Sequence, residues 1–406
     1  MKAALTAYTI KEGYVMRKIF IALGVFFLMA TAASGADPVR VGFISVLSGP
    51  LAPIGQSELN ATKMAVEDAG PVLGQKVELY PKDHQYNPGL ANERAKELYE
   101  KDKADMIVGC SNSAAALAVS DQSARHERVF MSTSAGTTDL IGKNRYTFKL
   151  NYNDYMLAAT LGAWGAKNLG KRWYTITTDY AWGHDLLKHF TSALKAEGGQ
   201  HVGNDMVPVN TSDYSPYILK AAQAKPDVLV LLNVGKDAAN ATKAAVEYGL
   251  KKNVKIMHAL LFELDIKGSG IQTFAGDYTA APWNWVVNQP GTKEWADRYY
   301  KAYGDRPTFM AAAAYSATRQ YLEAVKRAGS KEPDKIIKAL EGSTYKDFFV
   351  NPGYIRPEDH LEVVKAYLLR VKQPAQLKEK EDYFEVVGEL SADKAQPPIG
   401  LFKTLK

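Results

Sequence analysis

One cysteine, Cys110, stands among 406 residues, so no internal disulfide can staple the fold and stability has to come from buried core. Lysines and arginines number 50 against 44 acidic residues. They form no dense basic block, which removes the electrostatic footprint of a nucleic-acid binder. There is no G-x-x-x-x-G-K-[ST] loop and no strand followed by G-x-G-x-x-G, the backbone cradles that nucleotide phosphates need. G-x-S-x-G is missing as well: Gly109-Cys110-Ser111-Asn112-Ser113 has no glycine in the last place, and the seven histidines (84, 126, 184, 189, 201, 258, 360) follow no triad order. His84 and Asp83 could begin a metal pair, but no second histidine or cysteine stands at ligand spacing, and a loop bonding its own backbone is the plainer reading. His184 and His189, five apart on one helix, do not share a face. The sequence therefore calls for no metal and no cofactor, and it specifies no reaction.

Long apolar runs are scarce too. Ile19–Ala30 is shorter than the ~20 residues of a spanning helix. Preceded by Arg17 and Lys18 and followed by Ser34-Gly35-Ala36, it has the layout of a secretory leader cleaved after Ala36, with Met16 as a second candidate start. Residues 1–36 are thus expected to be a leader and the rest an exported protein. With no cysteine at the cleavage point, a lipid anchor is not expected.

What is there is alternation. "VRVGFISVLSG" reads as a buried strand breaking at Gly49-Pro50, "GQSELNATKMAVEDAG" as a helix, "QKVELYPKD" as a strand, "PGLANERAKELYEKDKA" as a helix and "DMIVGC" as a strand. The same grammar restarts near Asn153 and runs through "RWYTITTD", "DVLVLLNV" and "VKIMHALL" without a disordered linker. Strands separated by helices of this length form parallel sheets covered on both faces. The fold class is therefore α/β, with two doubly wound parallel-sheet lobes. Open sheets of this kind bind at the carboxyl ends of their strands, and two such lobes face to face make a cleft.

Two corners at those ends draw attention. In "IVGCSNSAAALAVSD" an apolar strand passes through small residues into a helix beginning near Ser113. Free N–H groups there suit a carboxylate; plain capping of the helix by Ser113 is the alternative. "VFMSTSAGTTDL" repeats the device, with Ala135 and Gly136 letting backbone approach a ligand and Thr137 offering a hydroxyl. A hydroxyl-rich loop is the alternative reading, and the pairing of two such corners favours one polar ligand head. In the second lobe "TTDYAWGHD" puts Tyr180 and Trp182 just past a strand end, where aromatic faces could close over an apolar body. "NYNDYML" adds Tyr152, Asp154 and Tyr155 where the lobes join.

Over Val39 to about Lys372 the chain resembles the periplasmic solute-binding proteins of the branched-chain amino-acid class of ABC importers, the type I periplasmic-binding fold. The resemblance rests on "VGFISVLSGPLAPIGQSELNATKMAVEDA", both corners, "TTDYAWGHD" and "PVNTSDYSPYILKAAQAKPDVLVLLNVG" in that order. It implies a monomeric periplasmic receptor that takes a small carboxylate-bearing solute between lobes joined by a three-crossover hinge and hands it to a permease in the inner membrane. The crossings then fall near Asn153, Pro282 and Leu361, giving lobe 1 residues 37–153 plus 283–361 and lobe 2 residues 154–282 plus 362–406. By position, Ser113 resembles the family's carboxylate-binding serine, and Ala135 and Thr137 its pair on carboxylate and amine. Trp182 sits where an aromatic covers the ligand, and Gly136, Tyr155 and Phe262 complete the expected enclosure. Two departures stand out. Ile54 occupies a loop where leucine-binding relatives carry an aromatic, and the acidic partner of a ligand amine has no counterpart in register, Glu263 and Asp265 being the nearest. A sensor domain of the same fold and an exported α/β hydrolase are the other functions compatible with the sequence.

Overall fold

The computed structural model describes residues 37–350 and 352–405; the expected leader, 1–36, lies outside them. Five parallel strands form the first sheet: β1 (Val39–Ser45), β2 (Val77–Asp83), β3 (Met106–Gly109), β4 (Val129–Ser132) and β5 (Thr147–Lys149), in the order β2-β1-β3-β4-β5. β1, β3, β4 and β5 are almost wholly buried on both faces, as strands sandwiched between helices must be. Helices Ala52–Ala69 and Phe309–Ala328 cover one face, where Phe43, Leu59, Phe148, Tyr321 and Leu322 form a core. Helices Pro88–Glu100 and Ser113–His126 cover the other, around Ile44, Ala95, Ile107, Val119 and Phe130.

The second sheet is built from β6 (Arg172–Thr178), β7 (Gln200–Val207), β8 (Val228–Leu232), β9 (Lys255–His258) and β10 (Tyr278–Ala281). The chain then makes a small sheet of β11 (Thr344–Tyr345), β12 (Gly353–Ile355) and β13 (Glu362–Val363) before adding β14 (Ala366–Val371) and β15 (Phe384–Leu390). The order is β15-β14-β10-β9-β8-β6-β7. To the parallel strands of this lobe the chain adds an antiparallel edge: β14 runs antiparallel to β10, and β15 antiparallel to β14. A crossing strand enters from the opposite end, and a short loop from β14 can only return as an antiparallel edge.

Three segments pass between the sheets, and two of them run side by side. Lys149 N donates to His360 O (2.9 Å), Asn151 N to a carboxylate oxygen of Glu362 (2.8 Å) and Asn151 Nδ2 to Thr133 O (2.6 Å). The fully buried Lys149 ammonium is satisfied by the carbonyls of Leu150 (3.0 Å) and Tyr152, while burial still pulls its pKa down to about 7. At the remaining crossing the Trp283 indole donates to Phe348 O (3.0 Å). The last residues depart from the expectation that all of 362–406 accompanies the second sheet. Beyond Gln396 the chain lies along the loops of the first, with Leu405 N bonded to Glu358 O (2.7 Å) and a cavity between Leu401–Lys403 and Thr138–Lys143. Such an extended tail is held by backbone bonds and so carries no hydrophobic period to read.

One buried ion pair fastens that tail to the third crossing. Arg356 meets Asp359 through two bonds (3.0 and 2.5 Å) and donates from its other terminal nitrogen to Pro397 O (2.7 Å). Removing one partner of such a pair leaves an uncompensated buried charge. Asp359→Ala is therefore expected to lower the unfolding free energy by about 3–5 kcal/mol. Urea denaturation checks this, and an unchanged midpoint and slope would show that the pair holds nothing.

Candidate functional site

The corner after β3 is made of backbone that ordinary residues avoid. Gly109, Cys110 and Asn112 have φ of 108°, 70° and 77°, left-handed values that glycine and asparagine tolerate best. A Cβ on Gly109 would sit 2.6 Å from Ile44 O. This tight turn sets Asn112 as the helix cap, its side-chain oxygen accepting from Ala115 N (3.0 Å). The capping role considered for Ser113 thus belongs to its neighbour. Ser113 is the first helical residue; its hydroxyl is buried without a hydrogen-bond partner and lines an interlobe cavity. The first amides of a helix likewise have no intrahelical acceptor.

The empty space between the cavity's lining side chains is about 410 Å³, open solvent included. Its polar side consists of Ser111, Asn112, Ser113 and Ser134; its walls are Tyr86, Tyr152, Tyr180, Trp182 and Phe262, with aliphatic side chains such as Ile54 and Met310 between them. No charged side chain lines it among the described residues. Tyr86 and Tyr180, from opposite lobes, join hydroxyls across it at 2.6 Å.

Of the expected contacts, Ser113, Ala135, Gly136, Trp182 and Phe262 are brought together on this cavity. Gly136 must be glycine. A Cβ there would fall 2.3 Å from Asp154 Oδ1 and 2.5 Å from Trp182 Nε1, where the indole donates to the carboxyl at 2.9 Å. Burial and the nearby Asp185 push the Asp154 carboxyl well above the usual range, while this bond and Lys149 pull the other way. Phe262 is stacked on Phe309 (5.3 Å).

Two expected contacts are not brought there. The Thr137 hydroxyl accepts from Asp139 N (3.3 Å) and starts the short helix Thr138–Leu140; an ST-turn consumed the hydroxyl that the sequence left open. Tyr155 points to the other side of its helix, edge-on to His189 (5.9 Å) and Phe402 (6.3 Å). Tyr152, three residues earlier, faces the cavity instead and donates to Ser134 O (3.2 Å). The acidic candidates are likewise engaged elsewhere: Glu263 accepts from Asn284 (2.7 Å), and Asp265 caps its own helix through Phe262 N (3.0 Å). Tyr86 and Met310 were not anticipated. Tyr86 follows Gln85 in a left-handed turn that "HQYNP" signals only as a turn, and Met310 opens a helix from the far end of the chain.

Next to the cavity the lobes grip each other. Thr138 N donates to Asp185 Oδ2 (2.9 Å), its hydroxyl adds a second bond (3.1 Å), and His189 reaches Asp185 at 3.3 Å. These contacts and the His189 ring hold the Asp185 carboxyl down to about 2 despite its burial.

Residues 38–378 match the family described as periplasmic binding protein. A periplasmic binding protein from Burkholderia mallei has the same fold at a TM-score of 0.86, with 36% identity over 90% of this chain and 98% of that one. A solute-binding protein of an ABC transporter from Rhodopseudomonas palustris BisB5, solved in complex with 3,4-dihydroxybenzoic acid, gives 0.81, with 27% identity over 88% of this chain and 98% of that one. Leu/Ile/Val-binding protein homolog 4 of Brucella abortus (strain 2308) is 26% identical across 89% of this chain and 91% of its own length. These relatives bind solutes and are not enzymes, which removes the hydrolase alternative. By its type I fold and a family match spanning most of its length, the chain belongs to the periplasmic binding proteins of the ABC-transporter type.

Proposed function

We propose that the chain is the extracytoplasmic receptor of an ABC importer and that its ligand is a small aromatic carboxylate without an amino group. The observation that carries the ligand class is the lining of the cavity. An unpartnered Ser113 hydroxyl at a helix start faces five aromatic side chains, and among the described residues no carboxylate lines the cavity to pair with an ammonium. Burying an unpaired ammonium costs several kcal/mol, whereas an anion at a helix start gains the dipole and free amides. An aromatic-acid complex among the relatives supports the same reading.

In this function Ser113, Ala135 and Gly136 hold the carboxylate while Trp182 and Phe262 cover the ring; Thr137 and Tyr155 stand behind that shell, shaping its loop and its helix. The lobes 37–153 plus 283–361 and 154–282 plus 362–406 would open about the three crossings, with the tail past Gln396 riding on the first lobe. The leader 1–36 would export the chain to the periplasm. There the monomer would present its closed form to the inner-membrane permease.

Protein freed of co-purified ligand by unfolding and refolding should gain thermal stability with benzoate, 4-hydroxybenzoate and 3,4-dihydroxybenzoate. Leucine, isoleucine and valine should leave it unchanged, since only a ligand of the folded state raises the midpoint. A shift with the aliphatic amino acids and none with the aromatic acids would overturn the ligand class.

Ser113→Ala should weaken benzoate by about 1–3 kcal/mol without lowering the ligand-free melting temperature, because its hydroxyl has no partner to lose. Calorimetric titration decides this, and unchanged affinity would remove Ser113 from the site.

A further inference from the structure

Under the polar wall of the cavity lies a carboxyl that the proposed function does not use. Glu58, in helix Ala52–Ala69, is fully buried. Its Oε2 is 3.3 Å from Ser45 Oγ at the end of β1, and Ser45 Oγ is 3.1 Å from Ser111 Oγ, which lines the cavity. The Ser134 hydroxyl, on the same wall, also faces the carboxyl. Oε1 has no partner.

We infer that Glu58 is a positioning residue, whose proton sets the direction of the Glu58–Ser45–Ser111 hydrogen-bond chain and so makes the cavity wall a donor toward an anionic ligand. Each hydroxyl has one hydrogen to give. With Glu58 neutral, its O–H donates to Ser45 Oγ, Ser45 donates to Ser111 Oγ, and the Ser111 hydrogen is left for the cavity. With Glu58 ionised, Ser45 must donate to the carboxylate and Ser111 to Ser45, so Ser111 turns a lone pair to the ligand while a negative charge lies beneath it. An anion therefore selects the neutral acid.

The surroundings favour that form. The titratable groups around Glu58 are the Cys110 thiol at the β3 corner, the Tyr152 phenol at the crossing and the Tyr299 phenol, bonded to neighbouring Ser57. His84 follows β2, its amide donating to Ser45 O (3.1 Å). Burial pushes the thiol and both phenols up and the imidazole down to about 4, so all four are neutral. On the same helix Lys63 and Glu67 are exposed, and Asp68, ten residues on and about 15 Å away at the helical rise, pairs with Arg298 of helix Thr292–Tyr303. Burial raises the Glu58 carboxyl to about 8, against the hydrogen bonds of Ser134 and Ser45.

The inference rests on the carboxylate reading, and the test separates the two. Benzoate is an anion throughout pH 6–9.5, and benzamide is its neutral analogue. Binding that requires the protonated acid loses affinity above the Glu58 pKa, by up to ~30-fold between pH 7 and 9.5. The benzoate dissociation constant should accordingly rise at least about fivefold over that span and stay level for benzamide. Glu58→Gln, whose amide donates at every pH, and Ser45→Ala, which cuts the chain, should both flatten the benzoate profile, with melting curves confirming that each is folded. A flat wild-type profile overturns the inference, as does a slope that survives in either variant. Failure of benzoate to bind at any pH instead overturns the carboxylate reading on which it stands.

Discussion

The Trp182–Asp154 hydrogen bond over Gly136 is the constraint on which the cavity depends. It joins the loop after β4, the first crossing and the helix Ala181–Ala196, three elements with no covalent reason to meet. Because Gly136 has no side chain, the indole and the carboxyl can lie directly on its backbone, and Gly136 O accepts from Asp154 N at 2.8 Å. The large ring is thereby pinned as a wall with its polar edge satisfied, which a buried tryptophan requires. Thr138 and Asp185 then repeat the linkage one turn away. Loop and helix are held together at two points, so the gap between them has a defined width.

The electrostatics of the site follow from what is neutral in it. Asp154 and Glu58 are both buried carboxyls; burial pushes Asp154 well up against the pull of Lys149, and raises Glu58 to about 8, protonated near neutrality. Asp185, a few ångströms away but supplied with an amide, a hydroxyl and an imidazole, stays ionised. Identical chemistry thus takes opposite protonation states according to the donors it can reach. The cavity remains free of formal charge although carboxyls surround it. An incoming anion then meets only dipoles, and its burial is compensated by hydrogen bonds with no ion pair to be broken on release.

The α/β alternation was legible because buried strands and amphipathic helices have different periods, and "DMIVGC" or "DVLVLLNV" fits only one of them. The carboxyl-end corners were legible because small residues in a strand-to-helix turn have few other uses. What escaped has equally physical causes. β15, "FEVVGEL", is an edge strand whose half-exposed residues lack a buried run. Thr137 and Ser113 carry similar hydroxyls in similar corners, yet one bonds its own backbone and the other has no partner: Thr137 is an extended cap (φ −54°, ψ 136°) and Ser113 the first residue of a helix, a difference that composition cannot encode. Tyr152 and Tyr155 lie three apart where the crossing enters a helix, so which ring faced inward depended on where that helix began. Its cap is Asn153, and this leaves Tyr152 in the extended segment facing the cavity and Tyr155 on the helix's opposite side.

The same reasoning explains why the far end of the proposed aromatic carboxylate was harder to read than its head. A carboxylate is recognised by few groups in fixed geometry, and two corners close in sequence supply them. An aromatic body needs only surface, and here that surface is gathered from Tyr86, Tyr152, Trp182, Phe262 and Met310, five segments spread over most of the chain. No local pattern can announce such a wall. It arises because the three crossings bring distant strand ends to one place, and because the Tyr86–Tyr180 hydroxyl contact leaves polar groups at the side where a ring substituent would end. A phenolic hydroxyl on the proposed ligand would have to replace that contact, donating to one tyrosine and accepting from the other, so the tyrosine pair exchanges one hydrogen bond for two.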